Sequence, residues 1–512
     1  METHCPAKKR RRFGWRRERR AWGRGKARPG AQRVPRALAD VRLRPPVPAR
    51  HPIREELAAL ARLAAPMAAA TAGQALMGLV DTAVTGRAGA ATLAGTGLGN
   101  ALFFAVAVFG MGLMTGLEPL TAQALGAGDR LRARRWLWQG LWMSLGIGAA
   151  LALVLAPAPL LLVPLGIPPD AAAEATGYLL ARLPGLPAFL FFFAARAYLT
   201  ALGRVRALVW AVLAANAANL GLDVLLVFGG TALPAWTGPL RGVPAMGAAG
   251  AGIATSAVTW LQTAILVLAA ARAGEPRLAP GQRRPRREDL RLAVRVGLPV
   301  GLHMGAEVGV FALVGVLAGR RGSAEVGAHQ IAIALASLTF TVAVGIGQAA
   351  SVRVGWAVGR GDTPGARRAG LVSFGAGASF MSVCALGFLA FPGALARLMS
   401  DDPRVVATAA PLLVVAAVFQ VSDGTQAVGA GVLRGAGDTR FTFAANMVGH
   451  WLVGFPLALA LGVFGGGRVT GLWWGLCAGL STVALALLLR FLSLSTRPIT
   501  PLSAAPAGPA AG

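Results

Sequence analysis

The sequence predicts an all-α integral membrane protein with twelve transmembrane helices in two six-helix lobes related by a parallel internal repeat. The first observation behind this prediction is composition: 55% of the 512 residues are hydrophobic and 14% are charged, with a mean hydropathy of +0.59. Apolar runs of about 20 residues recur from Leu57 onwards, and each is long enough to cross the bilayer core as a helix. A closed β-barrel would need short alternating segments, and the sequence shows no such alternation.

The second observation is that the chain repeats itself at one constant offset, the distance from Pro52 to Pro285. Four pairs of blocks keep this register without a gap: Pro52–Leu57 with Pro285–Leu290, Gly86–Gly89 with Gly319–Gly322, Gly126–Asp129 with Gly359–Asp362, and Ala133–Arg135 with Ala366–Arg368. One offset held over such a length predicts two homologous halves, an arrangement typical of membrane transporters.

Each half contains six hydrophobic segments. The predicted spans are 57–85, 92–125, 134–163, 171–202, 207–229 and 246–272, then 288–319, 324–358, 366–392, 403–434, 440–464 and 469–494. The predicted organisation is a basic tail (1–56), an N-lobe (57–272), a Pro/Arg-rich linker (273–287), a C-lobe (288–495) and a disordered end (496–512). The cysteines Cys5, Cys384 and Cys477 are too far apart for a disulfide framework or a metal-site spacing.

The third observation is the distribution of charge. Alternate loops are rich in arginine, whereas 164–170 contains no Lys or Arg, so the positive-inside rule places both termini and the linker in the cytoplasm. An even number of helices per half gives the two lobes the same orientation. The net charge of +29 is concentrated in residues 1–54, which hold +15 of it without an apolar signal region. This tail is typical of a disordered cytoplasmic extension near anionic lipids, and a nucleic-acid-binding arm is disfavoured.

Candidate functional residues are the polar groups inside apolar helices, where each is costly without a partner. Asp81 follows Gln74 by seven residues on the same helical face, and Asn216, Asn219 and Asp223 form a polar stripe on the fifth helix. Asp81, Asn219 and Asp223 could therefore form a carboxylate and amide cluster that suits protons or small hard cations. The alternative is that these groups bond neighbouring helices together.

The second half places its carboxylates differently. Glu307 replaces Gln74 at the repeat offset, and Val314 replaces Asp81. Asp423 lies between Gln420 and Gln426 in the tenth segment. Two carboxylates that face one cavity would share protons, which is the chemistry of an ion-coupled exchanger.

Weaker candidates complete the set. Glu118 is a candidate gate or helix-end partner, and we expect Arg196 and Arg353 to be salt-bridged or to reach the membrane surface. The other candidate cavity residues are Gln74, Asn216, His303, Gln330, Gln420 and Gln426. We expect His303, His329 and His450 mainly to pack, and the run Phe189–Phe193 to face lipid or neighbouring helices.

Several blocks resemble the multidrug and toxic compound extrusion (MATE) transporters over roughly residues 55–495. They are Met77–Thr82 with Gly86–Arg87, Gly327–Ala332, Ala350–Gly355 and Gly431–Arg440, and the second-half blocks are most similar to the bacterial NorM-like branch. The resemblance implies that Glu307 and Asp423 are cation-linked carboxylates of the C-lobe. It also implies that Asp81, Asn219 and Asp223 match an N-lobe coupling cluster described in another branch.

The resemblance implies a multidrug antiporter of the bacterial inner membrane that exports organic, mostly cationic compounds in exchange for inward H⁺ or Na⁺. We expect no cofactor beyond the coupling ion, drug-like substrates and lipids as partners, and a monomer. The main alternative is a lipid-linked oligosaccharide flippase of the same superfamily, which would have a more cationic cavity. A membrane-tethered nucleic-acid binder would need the basic tail, and no nucleophile or phosphate loop points to an enzyme.

Overall fold

The structure, a computed structural model, describes residues 52–232, 234–274, 276–466 and 468–502. Its described part contains twelve helices long and apolar enough to cross a membrane. In chain order, α1 to α12 are Ile53–Ala88, Ala90–Gly126, Arg130–Leu162, Pro169–Ala201, Arg206–Phe228, Gly247–Ala271, Pro280–Gly319, Ser323–Gly359, Thr363–Ala390, Pro403–Ala436, Thr439–Phe464 and Val469–Leu494. The continuous α-helical part of α7 begins at Arg287. The predicted all-helical fold with twelve membrane helices is confirmed.

Local sequence explains where these helices deviate from regular geometry. In α4 a 3₁₀ turn, Leu183–Gly185, lies beside Pro184 and Pro187, neither of which can donate a backbone hydrogen bond. In α11 two π-helical stretches, Met447–Gly454 and Ala460–Phe464, flank a short α-helical turn. Such π segments are frequent at functional sites, and the first of them contains His450.

The internal repeat extends to the loop geometry. Asp129 and Asp362, which are equivalent positions of the repeat, both cap the following helix by accepting a hydrogen bond from a backbone N–H at 2.8 Å. The residue before each cap is a glycine with positive φ, +79° at Gly128 and +73° at Gly361, where a side chain would be strained. The repeated sequence therefore encodes the same turn twice, which supports two lobes built on one frame.

The two lobes, α1–α6 and α7–α12, contact each other mainly through α1 against α8 and α2 against α7 and α8. A methyl group at Gly112 of α2 would collide with the backbone of Gly301 in α7, so these helices approach closely only because both positions are glycine. Glu56 of α1 forms a bidentate ion pair with Arg353 of α8, with distances of 2.9 and 2.7 Å. One end of the bundle, which we call the basic end, bears the loops 127–129, 202–205, 272–286, 360–362 and 437–438. The inter-lobe contacts lie towards the basic end, and we call them the inter-lobe seam.

The chain end departs from expectation. The sequence predicts disorder for segment 496–512, but the first part of this segment packs on the seam. The Ile499 N–H donates to Thr363 at 3.3 Å, and the Leu502 N–H donates to Gln123 at 2.8 Å. The Ile499 side chain is buried, and Leu502 lies against Gly437 at the end of α10. Both are apolar, so removing them from water favours this packing. We call Ile499–Leu502 the C-terminal strap; residues 503–512, like residues 1–51 of the predicted basic tail, lie outside the described residues.

Candidate functional site: an inter-lobe cavity and two carboxylate clusters

A cavity of about 690 Å³ lies between the lobes. Its walls come from both lobes, namely from α1, α2 and α4 on one side and α7, α8, α10 and α11 on the other. Most lining side chains are apolar or aromatic, including Phe104, Phe193, Phe311, Phe340 and Phe419. Such a surface suits large apolar molecules of varied shape, and a few polar groups orient them.

The first group of polar residues, the C-lobe cluster, comprises His303, Glu307, Asp423 and Gln426. The His303 Nε2 lies 3.0 Å from a Glu307 carboxylate oxygen one helical turn away, and Gln426 Nε2 lies 3.4 Å from the same His303 nitrogen. Asp423 is 6% exposed, and its carboxylate lines the same cavity as that of Glu307. All four side chains line the cavity, so a bound cation would be in direct reach of both carboxylates.

A second charged group, the floor triad, lies where the cavity meets the seam. Glu118 of α2 is 3.2 Å from the Arg196 guanidinium in its own lobe and 3.1 Å from Arg434 of the opposite lobe. All three line the cavity, and Glu118 and Arg196 are only 3% and 7% exposed. Glu118 therefore joins the lobes through a buried ion pair, and its role as a gate or helix-end partner stays a prediction. The predicted salt bridge of Arg196 is present.

Asp81, Asn219 and Asp223 form a third group, the N-lobe cluster. The Asn219 amide nitrogen donates to Asp81 at 2.5 Å and to Asp223 at 2.6 Å, so the two carboxylates are neighbours. The Thr255 hydroxyl of α6 also donates to Asp81, at 3.3 Å. Asn219 and Asp223 are fully buried, and one side-chain oxygen of each lacks a hydrogen-bond partner among the described residues. The spatial grouping predicted from the sequence is present.

The N-lobe cluster does not line the cavity described above, although Gln74 on the same helix does. The step from Gln74 to Asp81 corresponds to about 10 Å along the helix axis, so the two share a face but lie at different depths. Asn216, the third member of the predicted polar stripe, donates to the Gly73 carbonyl at 3.0 Å and ties α5 to α1. It therefore acts as a link between helices.

Other predicted residues lie elsewhere. Gln330 is exposed on α8 and is not part of the cavity lining. Gln420 is fully buried and accepts a hydrogen bond from Thr339 at 2.7 Å, also off the lining. His329 accepts from the Trp473 indole at 3.1 Å and His450 packs against Phe311, whereas Phe193 of the aromatic run lines the cavity.

Sequence reasoning missed three residues near these groups. Arg434 lies two residues before the end of α10, so the sequence suggests only a charge of the following loop. In the structure it pairs with Glu118 and completes the floor triad. Arg182 is 5% exposed, and its guanidinium stacks over the Phe103 ring at 4.2 Å. An arginine within the apolar segment 171–202 was a detectable signal. Thr255, one of many threonines in helices, carried no such signal.

The donor sets limit what can bind. No group of three or more His, Cys, Asp or Glu that could hold a metal ion occurs in the described part of the chain. Both clusters instead combine two carboxylates with amide or hydroxyl groups, and the C-lobe cluster adds an imidazole. Carboxylate and amide oxygens can take a proton or a hard monovalent cation.

Comparison with known proteins agrees with this architecture. The family model described as MatE matches twice, over residues 66–225 and 299–460, once in each lobe. The multidrug resistance protein NorM of Burkholderia vietnamiensis is 37% identical over 439 residues, covering 84% of this chain and 92% of its own. The probable multidrug resistance protein NorM of Bradyrhizobium diazoefficiens is 36% identical, covering 88% and 96%.

Solved structures show the same fold. A eukaryotic MATE transporter superposes with a TM-score of 0.75 at 21% identity, covering 86% of this chain and 96% of its own. A transporter of the MOP superfamily from Pyrococcus furiosus gives a TM-score of 0.76 at 21% identity, covering 86% and 97%. With both lobes matched by the family model and with the two NorM relatives similar over most of the chain, the resemblance seen in the sequence is confirmed, and this protein belongs to the MatE family.

Proposed function

We propose that this protein is a secondary active multidrug efflux antiporter of the bacterial inner membrane, which exports organic, mostly cationic compounds in exchange for inward H⁺ or Na⁺. The observation that carries the proposal is the inter-lobe cavity, where an apolar and aromatic wall surrounds the carboxylates Glu307 and Asp423. The NorM names of its relatives are consistent with drug-like substrates. The cavity forms within one chain, so the proposal requires no second copy.

The charge of the cavity favours a cationic substrate over the anionic diphosphate of a lipid-linked oligosaccharide. Its described lining carries three carboxylates, of Glu118, Glu307 and Asp423, against two guanidiniums, of Arg196 and Arg434. Glu118 pairs with both arginines, so this triad keeps one positive charge, whereas Glu307 and Asp423 together carry two negative charges and make the lining negative on their side. A large polyanion would have to approach that negative side.

Coupling follows from shared ligands. A substrate cation and the coupling ion, H⁺ or Na⁺, bind to the same two carboxylates, Glu307 and Asp423. Each therefore lowers the affinity for the other, so binding of one favours release of the other. His303 orients the Glu307 carboxylate by direct contact, and Gln426 contacts the same His303 nitrogen. The N-lobe cluster lies off the lining, and we assign it an indirect role: its cation occupancy changes how α1, α5 and α6 pack.

Alternating access would require the seam to open. The inter-lobe contacts lie towards the basic end, and the cavity lies on the other side of them. With the basic end in the cytoplasm, as the positive-inside rule predicts, this arrangement is an outward-facing state with both termini inside the cell. Rocking of the lobes would then break the Glu118–Arg434 and Glu56–Arg353 pairs and re-form them in each cycle.

The test is transport by purified protein in proteoliposomes with an imposed Na⁺ or H⁺ gradient and an ethidium-like cation. Glu307→Gln and Asp423→Asn should abolish gradient-driven accumulation, because each removes a charge shared by ion and substrate. Asp81→Asn should slow transport through the indirect role of the N-lobe cluster.

Asp402→Asn is the matched control, since Asp402 is a half-exposed carboxylate that caps α10 outside the cavity, a cap that Asn can also form. Normal export by Glu307→Gln, Asp423→Asn and Asp81→Asn under either gradient would show that the carboxylate mechanism is wrong. Transport of a lipid-linked oligosaccharide in place of the organic cation would favour the flippase alternative.

A further inference from the structure

A second pocket, of about 480 Å³, lies at the basic end where α3 begins and α6 ends. We call it the linker pocket, because the segment that joins the lobes forms one of its walls. Its charged and aromatic lining consists of Arg134 and Trp138 on α3 and Arg277 and Arg283 on the linker. No acidic side chain is present in the described lining, and Glu275 of the linker lies outside the described residues. The pocket has no part in the transport mechanism proposed above.

Two of these arginines are held by neutral partners. Arg134 donates to the Ala270 carbonyl at 2.8 Å, and its guanidinium lies 5.4 Å from the Tyr198 ring centre. Arg283 donates to the Leu278 carbonyl at 3.1 Å and stacks over Trp138 at 5.4 Å. Carbonyls and aromatic rings fix a guanidinium without neutralising it, and neither arginine pairs with a carboxylate of the described residues.

The linker wall is itself anchored to α3. Gln139 donates to the Arg284 carbonyl at 3.0 Å and accepts from the Arg286 N–H at 2.9 Å. The Trp142 indole donates to the Arg283 carbonyl at 2.8 Å, and Trp142 is 39% exposed. Tryptophans at this level of a membrane helix are typical of the headgroup region. The pocket is therefore a preformed cationic site at the depth of lipid headgroups.

We propose that the linker pocket binds a phosphate-bearing anion, and that its source is the headgroup of an anionic phospholipid such as phosphatidylglycerol. Guanidiniums that come from α3 and from the linker suit the several oxygens of one phosphate, and Arg is the residue best suited to that geometry. Since the pocket includes both α3 of the N-lobe and the linker that leads to α7, a bound headgroup would fix the linker on the N-lobe.

The test is a lipid titration of the purified full-length protein in detergent, with adducts resolved by native mass spectrometry. The probes are phosphatidylglycerol, phosphatidylcholine and inorganic phosphate. The wild-type protein should retain one phosphatidylglycerol more tightly than the others. Arg283→Gln should weaken that adduct roughly tenfold, the effect of losing one charge-assisted contact, and Arg283→Lys should weaken it less. Arg87→Gln, an exposed arginine near the opposite end, is the matched control and should leave it unchanged.

Equal retention of phosphatidylglycerol by wild type, Arg283→Gln and Arg87→Gln would overturn the site. Saturation by millimolar inorganic phosphate with no preference for phosphatidylglycerol would overturn the lipid as source. Because Arg283 could also matter for stability, thermal unfolding without lipid is measured for each variant. Phosphatidylglycerol should raise the unfolding temperature of the wild type, and both Arg283→Gln and Arg134→Gln should reduce that rise. This result would support the pocket independently of adduct intensities. A rise that neither variant reduces argues against it.

Discussion

The N-lobe and C-lobe clusters use similar groups in opposite surroundings. Asp81 and Asp223 share one amide donor inside the N-lobe, where two oxygens of the cluster have no partner among the described residues. Glu307 and Asp423 line the open cavity and are accompanied by an imidazole. We propose a division of work on this basis: the C-lobe pair meets both the substrate and the coupling ion, and the N-lobe pair affects transport indirectly, through the packing of α1, α5 and α6.

The repeat explains how one frame yields two such sites. Gln74 and Glu307 are equivalent at the repeat offset, and both line the cavity from opposite lobes. Asp81 and Val314 are also equivalent, and both are buried within their lobes. The position of Gln74 and Glu307 therefore lines the cavity, and the position seven residues later on the same helix face is buried within the lobe. A carboxylate was placed in the cavity register of one half and in the interior register of the other.

The largest effect is expected from breaking the floor triad that joins the two lobes. Glu118→Gln would leave the buried guanidiniums of Arg196 and Arg434 without a carboxylate, at a cost of about 3 kcal/mol in stability. The measurement is the thermal unfolding temperature in detergent. Glu56→Gln removes the partner of the less buried Arg353 and should cost about 1 kcal/mol. A Glu118→Gln effect no larger than that of Glu56→Gln would contradict the role of the triad as the main inter-lobe lock.

A somewhat smaller effect is expected in substrate binding. Asp423→Asn keeps the side-chain shape but removes one charge from the cavity, so the affinity for an ethidium-like cation should fall about 10- to 100-fold. Fluorescence titration of the purified protein measures it. Asp223→Asn, the matched change in the N-lobe, should alter the affinity less than threefold, because Asp223 is absent from the cavity lining. Equal losses in the two variants would contradict the division between the clusters.

The N-lobe comparison can be sharpened through Asn219. Asn219→Ala removes the only amide that bridges Asp81 and Asp223 in the described structure and should lower stability by about 1–3 kcal/mol. Gln426→Ala should cost less, because it removes a single contact of 3.4 Å with His303, whereas Asn219 makes two short hydrogen bonds to carboxylates. Thermal unfolding of the two variants is the measurement, and the reverse order of the two losses would show that the N-lobe cluster is not the more tightly sealed.

The smallest effect concerns the C-terminal strap. Deletion of residues 498–512 removes the contacts to Thr363 and Gln123, and deletion of 503–512 leaves them in place. The longer deletion should reduce stability by about 1 kcal/mol relative to the shorter one, because two hydrogen bonds and the burial of Ile499 are largely offset by the conformational entropy lost when the strap is ordered. Indistinguishable unfolding temperatures for the two truncated proteins would show that the strap does not support the seam.

Much of the fold was accessible from sequence because the bilayer imposes its own length and polarity. The apolar runs predicted the twelve helices, and the constant repeat offset predicted the two lobes. The equivalent turns at Asp129 and Asp362 fall in blocks that the repeat had already matched. The spacing between Asn219 and Asp223 also predicted that their side chains lie on one helix face, and the two are hydrogen-bonded in the N-lobe cluster. The end at Ile499–Leu502 was missed because short Pro-containing segments carry no periodic pattern.

The site was less accessible, since its shape depends on which helices cross. Helical spacing placed Gln74 and Asp81 on one face but could not say that the cavity reaches only Gln74. Gln330 and Gln420 are as polar as Gln426, and only tertiary packing puts the last on the lining. Arg434 reads as an ordinary helix-end arginine, and its partner Glu118 belongs to the other half of the chain, beyond any local pattern.

The central claim is that ion and substrate compete at the C-lobe cluster and not at the N-lobe cluster. The most direct measurement is equilibrium binding of an ethidium-like cation to purified protein as Na⁺ and pH are varied, in wild type, Glu307→Gln/Asp423→Asn and Asp81→Asn/Asp223→Asn. The proposed mechanism predicts that affinity depends on the coupling ion in wild type and in the N-lobe variant, and that the dependence disappears in the C-lobe variant. Loss of the dependence in the N-lobe variant with its retention in the C-lobe variant would contradict it.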